Sequence, residues 1–155
     1  MSQTYKMVKE FKNKYPFTIT WWRLKAHSKL VDKYLNPDEK LLYAFAGQND
    51  NSHSSILNTA VLALTNERII VAQDRLIIGY KISSITPDLY NDVSVNSGLL
   101  WGIVRIDTVK EIIYFSNLSK KALPEIQNNI SRYMSEAKKR FMKKEDSNWI
   151  FFYFS

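Results

Sequence analysis

TAVLALTNERIIV, residues 59–71, contains two apolar runs joined by Thr65-Asn66-Glu67-Arg68. Asn66 can adopt the backbone conformations that a tight reversal requires. Short runs of aliphatic and β-branched residues on both sides of such a turn are typical of a β-hairpin. The stretch therefore predicts the second and third strands of a domain, at the centre of a sheet.

The composition is that of a folded protein. The chain has 155 residues, of which 45% are hydrophobic and 14% aromatic, enough for one domain with an appendage. The absence of cysteine excludes disulfides, thiolate metal sites and cysteine nucleophiles. The lysine-rich start, 1–14, lacks the apolar segment of a signal peptide, and no stretch is long and apolar enough to span a bilayer. We therefore expect a cytoplasmic protein.

The positive charge is concentrated at the two ends of the chain. Residues 1–58 carry nine basic and five acidic residues, 59–116 carry five and six, and 117–155 carry eight and four. The net charges of these segments are +4, −1 and +4, which together give the +7 of the whole chain. An anionic partner is therefore expected on the flanks rather than on the β region.

Two amphipathic helices are predicted before the sheet. Apolar residues at spacings of three and four among lysines predict a helix over 4–15, which Pro16 ends. A second helix is predicted over 20–35, with Leu24, Val31 and Leu35 on its apolar side, and Asn36-Pro37 stops it.

From Glu39 onwards the pattern becomes extended. Besides the hairpin, it predicts strands at 41–46, 75–82, 89–95, 99–107 and 111–115. The predicted connections are a polar loop at 47–58 with a helical turn near Ser55, a tight turn near Asp74, and a turn at 96–98 in which Gly98 has a positive φ. Seven short strands at this spacing predict an antiparallel sandwich or barrel.

A long amphipathic helix is predicted to close the domain. Ser119 can cap it, Pro124 fits its first turn, and apolar residues recur at intervals of three or four as far as Phe141. The helix is expected to end near Lys144, before the polar break 145–148. The tail that follows, 149–154, reads WIFFYF.

The order of these elements, and three segments, resemble bacterial pleckstrin-homology (PH) domains of the YokE-like type. The segments are LTNERII at 64–70, ISSI at 82–85 and SGLLWGIVRI at 97–106. The resemblance covers about 38–144 and implies an α+β, PH-like fold. It leaves 1–37 as an N-terminal helical extension and 145–155 as an aromatic tail. It also implies a binding or assembly module without catalysis, cofactor or small-molecule substrate.

Several common sites are not expected. The eukaryotic relatives of such domains that bind phosphoinositides do so with cations around the loop between the first two strands. The resemblance therefore implies no such pocket here, since 47–58 contains Asp50 but no lysine or arginine. His27 and His53 are the only histidines, and we expect a solvated helix residue and a loop residue rather than metal ligands. Ser54 and Ser55 beside His53 lack the context of a nucleophile.

Two features of the C-terminal part are candidate interaction sites. A basic cluster comprises Lys138, Lys139, Arg140, Lys143 and Lys144. It either complements the negative end of the helix dipole or binds an anionic lipid or nucleic acid. The aromatic tail contributes Trp149, Phe151, Phe152 and Phe154. It either docks on its own chain, adds to the sheet edge of a second copy, or inserts shallowly into a membrane.

Aromatic and basic residues also alternate near the N-terminus. Tyr15, Phe17, Trp21 and Trp22 lie among cations, as in single-strand nucleic-acid binding, or else pack against the sheet. We hypothesise a non-enzymatic module that acts by protein–protein contact and self-assembly. Peripheral binding to an anionic membrane is the alternative, and nucleic-acid binding is a lower one.

Overall fold

The computed structural model describes residues 2–21, 23–52, 56–75 and 77–154, with the backbone alone at Phe154, and these form three α-helices and seven strands. The helices are α1 (Gln3–Lys14), α2 (Leu24–Tyr34) and α3 (Leu123–Phe154). The strands are β1 (Leu41–Gln48), β2 (Thr59–Thr65), β3 (Ile69–Arg75), β4 (Gly79–Ile85), β5 (Tyr90–Ser97), β6 (Trp101–Thr108) and β7 (Ile112–Ser119). Single 3₁₀ turns, Pro87–Leu89 and Lys120–Ala122, precede β5 and α3.

The strands form one antiparallel sheet in the order β4-β3-β2-β1-β7-β6-β5. β1 joins the two halves of the sheet, since it pairs with β2 along its length and with β7 only where Gln48 lies opposite Ser116. The sheet curls into a half-barrel, and α3 packs against β5 and β6. The predicted α+β, PH-like architecture is confirmed.

The predicted hairpin is present, with Leu64 opposite Ile69 and Leu62 opposite Val71. Every residue of β2 is buried. Leu62 and Leu64 face the inner core that α3 closes, whereas Val61 and Ala63 belong to a second cluster on the outer face of the sheet. A strand buried on both faces needs apolar residues at every position, and this explains the uninterrupted apolar run.

The N-terminal helices cover the outer face of the sheet. Val8 of α1 and Val31 of α2 pack in the outer cluster, while Phe11 of α1 reaches the inner core. The two helices are also tied together, because the Thr4 hydroxyl donates to Asp32 Oδ1 at 2.6 Å. Contacts therefore cross the predicted boundary between 1–37 and 38–144, although that division into domains stays a prediction.

Two predicted turns are displaced in the structure. β3 continues through Asp74 to Arg75, so the turn lies beyond Asp74 and β4 begins at Gly79 rather than at Arg75. Gly79, rather than Gly98, has the positive φ, of 84°. The turn after β5 is also later than predicted, because Ser97 still pairs with Gly102. The helical turn predicted near Ser55 falls outside the described residues.

Two helix boundaries also differ from the predictions. α2 begins at Leu24, four residues later than expected, and it is preceded by Arg23 in the left-handed region at a φ of 81°. α3 does not end near Lys144 but continues through the polar residues 145–148 to Phe154. Ser119 precedes the 3₁₀ turn and makes no capping bond with its side chain.

Candidate interaction surface

The first half of α3 closes the core and the second half leaves it. The buried stripe runs through Ile126, Ile130, Met134 and Ala137, and Phe141 is half-buried. From Met142 onwards, every residue with a described side chain is exposed. A helix of 32 residues is about 48 Å long, so its last 13 residues project by roughly 20 Å. We call residues 142–154 the projecting end.

The projecting end carries a continuous apolar surface. Trp149, Ile150, Phe151, Phe152 and Tyr153 are each between 60 and 78% exposed. Consecutive residues of a helix are separated by about 100° around its axis, so these five side chains surround the helix rather than forming one stripe. Aromatic side chains have roughly 150–250 Å² each to bury, and exposed apolar patches beyond a few hundred Å² mark interaction sites.

The structure corrects two alternatives for the aromatic tail. The tail is helical and follows the preceding helix without a break, so it is not a strand that could add to a sheet edge. The side chains of Trp149, Phe151 and Phe152 are 65 to 78% exposed, rather than buried against the N-terminal helices or the sheet as the docking alternative required. The side chain of Phe154 lies outside the described residues. The sequence-based interpretation failed here because exposed Glu, Asp, Ser and Asn are tolerated in a helix at small cost.

The basic cluster does not form one uniform patch. The Lys138 ammonium donates to the carbonyl of Tyr90 at 2.9 Å, and the Arg140 guanidinium approaches the carbonyl of Asn66 at 3.5 Å. These two cations join α3 to the body of the domain. The other three, Lys139, Lys143 and Lys144, are exposed on the solvent side of the helix. They could meet an anionic surface just before the aromatic residues.

The loop between β1 and β2 is held by its acidic residue. Asp50 accepts hydrogen bonds from the Ser116 hydroxyl at 3.1 Å and from the amide of Asn58 at 3.2 Å. Asp50 is therefore a structural residue that fixes the loop against β7. His53, Ser54 and Ser55 in the same loop are outside the described residues.

His27 is not the solvated residue that was expected. Its side chain is only 3% exposed, and Nδ1 accepts a hydrogen bond from the backbone N–H of Asp74 at 2.8 Å. Burial lowers the pKa of His27 to about 4, with a smaller opposite effect from the Asp74 carboxylate. Among the residues that the structure describes, no three histidine or acidic side chains are grouped as a metal site would require.

The N-terminal aromatic residues are divided between core and surface. Tyr15 is buried in the inner core, whereas Phe17 and Trp21 are exposed, and Trp22 is outside the described residues. The indole of Trp101 donates to the Phe17 carbonyl at 3.0 Å, which ties this segment to β6. Tyr15 is therefore not exposed beside Phe17 and Trp21, as stacking on the bases of a nucleic acid would require.

A polar cluster that the sequence did not reveal joins α1, β1 and α3. Glu125 accepts hydrogen bonds from Tyr43 at 2.9 Å, from Tyr15 at 3.2 Å and from Lys14. Although burial opposes the effect, these bonds lower the pKa of Glu125, and burial raises the pKa of Tyr43. The cluster borders a cleft of about 320 Å³, and its carboxylate is already engaged by the chain itself. The partners lie 82 to 111 residues apart in sequence, so no local pattern could have identified them.

The sequence comparison identifies one family. The model of the bacterial PH domain family matches residues 35–132. The match includes all seven strands and the buried start of α3, and it excludes α1, α2 and the projecting end. No functionally curated protein shows significant similarity to the chain.

Two solved structures are similar to this chain. One is a pleckstrin homology domain from Shewanella amazonensis SB2B, with 18% identity, a TM-score of 0.44, and coverage of 71% of this chain and 86% of the other. The other is a DUF1696 family protein with a pleckstrin-homology domain from Shewanella loihica PV-4, with 12% identity, a TM-score of 0.46, and coverage of 75% and 93%. No helix in the described part of the chain is both long and apolar enough to cross a membrane.

Proposed function

The chain belongs to the bacterial PH domain family, and we propose that it is a non-enzymatic module that assembles with further copies of itself through the projecting end of α3. PH domains generally bind proteins or lipids. Within the family, we assign the chain to the YokE-like type on its LTNERII and SGLLWGIVRI segments. The domain supplies a rigid base, and the projecting end supplies the contact.

The exposure of five consecutive large apolar side chains, 149–153, carries this proposal. A helix that is apolar on all sides is normally buried on all sides. One partner helix lying alongside would cover only about half of the circumference. Assembly by the projecting end is therefore expected to give an oligomer of three or more copies, in which several α3 ends enclose each other's aromatic residues.

The proposal is tested by size-exclusion chromatography with light scattering. The full chain and a variant that ends at Asp146 are compared at the same concentrations. We expect a discrete oligomer for the full chain and a monomer for the shortened variant. The shortened variant is a suitable control because it keeps every buried residue of α3. An unchanged mass after truncation would refute assembly through this end.

Peripheral binding to an anionic membrane is a second candidate function. The exposed cations Lys139, Lys143 and Lys144 directly precede the aromatic residues on the same helix. An amphiphilic end of this kind combines electrostatic attraction with shallow aromatic insertion, and the protein would then be cytoplasmic and peripheral at the membrane.

Sedimentation with vesicles separates the two functions. Membrane binding predicts that the full chain sediments with phosphatidylserine-containing vesicles, that salt weakens this binding, and that neutral vesicles bind less. A Lys139→Gln/Lys143→Gln/Lys144→Gln variant should then lose vesicle binding. If the projecting end acts in self-assembly instead, the same variant should form an oligomer of the same mass as the full chain does. Equal binding to neutral and anionic vesicles would exclude the electrostatic mechanism.

A further inference from the structure

A second site is suggested by a cavity of about 230 Å³ beside the end of β3. Its walls come from the segment between α1 and α2, the β1–β2 loop and the end of β3. The lining includes Trp21, Arg23, His27, Leu57, Asp74 and Arg75. The first three precede residue 35, where the family match begins, so the N-terminal extension contributes three of the eight lining residues.

His27 presents a hydrogen-bond donor at this cavity. Because Nδ1 accepts from the Asp74 N–H, the neutral ring carries its proton on Nε2. The residue is 97% shielded from solvent yet lines the cavity, and no described residue accepts a hydrogen bond from Nε2. Nε2 is not one of the fully buried atoms that lack a partner, so it is a donor that remains accessible from the cavity. An acceptor that occupies the cavity would satisfy this one.

The charges around the cavity favour an anion. The guanidinium of Arg23, a residue with a left-handed backbone conformation, pairs with the carboxylate of Asp74. Arg75 is exposed at the rim and makes no ion pair within the described chain. Two guanidinium groups and one carboxylate leave a net positive charge beside the neutral imidazole.

Two apolar side chains, together with Thr59 and Gln73, complete the lining of the cavity. Trp21 is half exposed and Leu57 is exposed at the opening of the cavity. The backbone N–H of Trp21 donates to the Thr59 hydroxyl at 2.8 Å, which fixes this residue beside β2. An indole face next to a leucine contacts planar or aliphatic groups well, whereas it contributes little to binding a bare inorganic ion.

We propose that this cavity binds a small organic anion, in which a carboxylate or phosphate group is attached to a flat apolar group. His27 Nε2 and Arg75 hold the anionic oxygens, and Trp21 with Leu57 contacts the apolar part. The volume is below the range of about 300–1,000 Å³ that is usual for drug-sized ligands, so the ligand is a small one. This site is independent of the projecting end of α3.

The proposal is tested by NMR titration of the full chain with benzoate, phenyl phosphate, inorganic phosphate and benzylamine. We expect saturable shifts of the Trp21 indole and His27 ring signals with benzoate or phenyl phosphate, and none with the cation benzylamine. The tighter of the two organic anions identifies the acidic group. Equal affinity for inorganic phosphate and phenyl phosphate would overturn the apolar half of the proposal, and no saturable shift with either organic anion would overturn all of it.

Three variants make the test specific. Arg75→Gln should weaken binding about tenfold, the effect of losing one charge-assisted hydrogen bond. His27→Asn should also weaken binding, because Asn can still accept from the Asp74 N–H but has no group at the position of Nε2. Lys110→Gln removes the same unit of charge from the exposed β6–β7 turn and should leave the affinity unchanged. If Arg75→Gln and Lys110→Gln have the same affinity for the organic anion, Arg75 does not bind it and the proposed site is wrong.

Discussion

The guanidinium Nε of Arg68 donates to both carboxylate oxygens of Glu39, each at 3.0 Å, and the Glu39 side chain is completely shielded from solvent. The same guanidinium donates to the carbonyl of Tyr34 at 2.7 Å and to the hydroxyl of Ser84 at 3.1 Å. Arg68 therefore connects the end of α2, the start of β1 and the edge strand β4 to the β2–β3 turn. It is a structural residue rather than a binding residue.

The Arg68–Glu39 pair should be essential for stability. Glu39→Leu or Arg68→Met alone leaves a buried charge without its partner, and each should lower the free energy of unfolding by about 3–5 kcal/mol. The double variant Glu39→Leu/Arg68→Met should be less destabilised than the sum of the two. Urea unfolding of all four proteins gives the coupling free energy. Additive effects of the two substitutions would contradict a direct interaction.

His27 should make stability depend on pH. Its ordinary pKa of 6.5 falls to about 4 in the fold, so the unfolded chain binds a proton that the folded chain does not between these values. The free energy of unfolding that depends on neutral His27 is fully present above about pH 6.5. It decreases as the pH falls towards 4, by roughly 3 kcal/mol at most. Urea unfolding at several pH values measures this loss. His27→Asn should make the free energy of unfolding depend less on pH. If the variant shows the same pH dependence as the parent chain, other groups cause that dependence.

Gly102 should not tolerate a side chain. A Cβ at this position would lie 2.4 Å from Cδ1 and 2.9 Å from Cγ of Leu123, which is buried at the start of α3. Gly102→Ala should therefore cost about 1–3 kcal/mol of stability. Thermal unfolding should show that the cost is smaller when Leu123→Ala is already present, because the obstructing side chain is gone. Equal costs in both backgrounds would indicate that the overlap with Leu123 is not the cause.

The N-terminal extension should be required for folding. Removal of 1–37 would take Phe11 and Tyr15 out of the inner core and uncover the outer face of the sheet, including Val61 and Ile70. We expect circular dichroism to show loss of the cooperative thermal transition in this variant. Removal of 147–155 is the matched control and should leave the transition unchanged. A cooperative transition in the chain 38–155 would show that the PH domain folds without its extension.

Much of the fold was predictable because local periodicity determined it. The apolar run of β2 indicated a strand within the sheet, and the stripe from Leu123 to Phe141 indicated the helix that closes the core. The predicted turns were displaced because strand ends depend on pairing, as when Asp74 pairs with Tyr80. The contact of Gly102 with Leu123 could not be located from local periodicity, because the two residues belong to β6 and α3.

The site residues were less predictable, because their environment is tertiary. His27 accepts a hydrogen bond from the N–H of Asp74, which lies 47 residues away. Glu39 accepts one from Arg68, which lies 29 residues away. The projecting end was misjudged for a different reason. Residues 145–148 contain neither glycine nor proline, and a polar composition alone does not end a helix that is exposed on every side.

Sedimentation velocity over a range of concentrations tests the central claim, that the projecting end of α3 is an assembly element, most directly. The comparison variant replaces Trp149, Ile150, Phe151 and Phe152 with glutamine, which keeps the length of the helix and its helix propensity. We predict that the full chain sediments as an oligomer of at least three copies that dissociates on dilution, while the variant stays monomeric. A full chain that is monomeric at every concentration, or a variant with the mass of the full chain, would contradict the account.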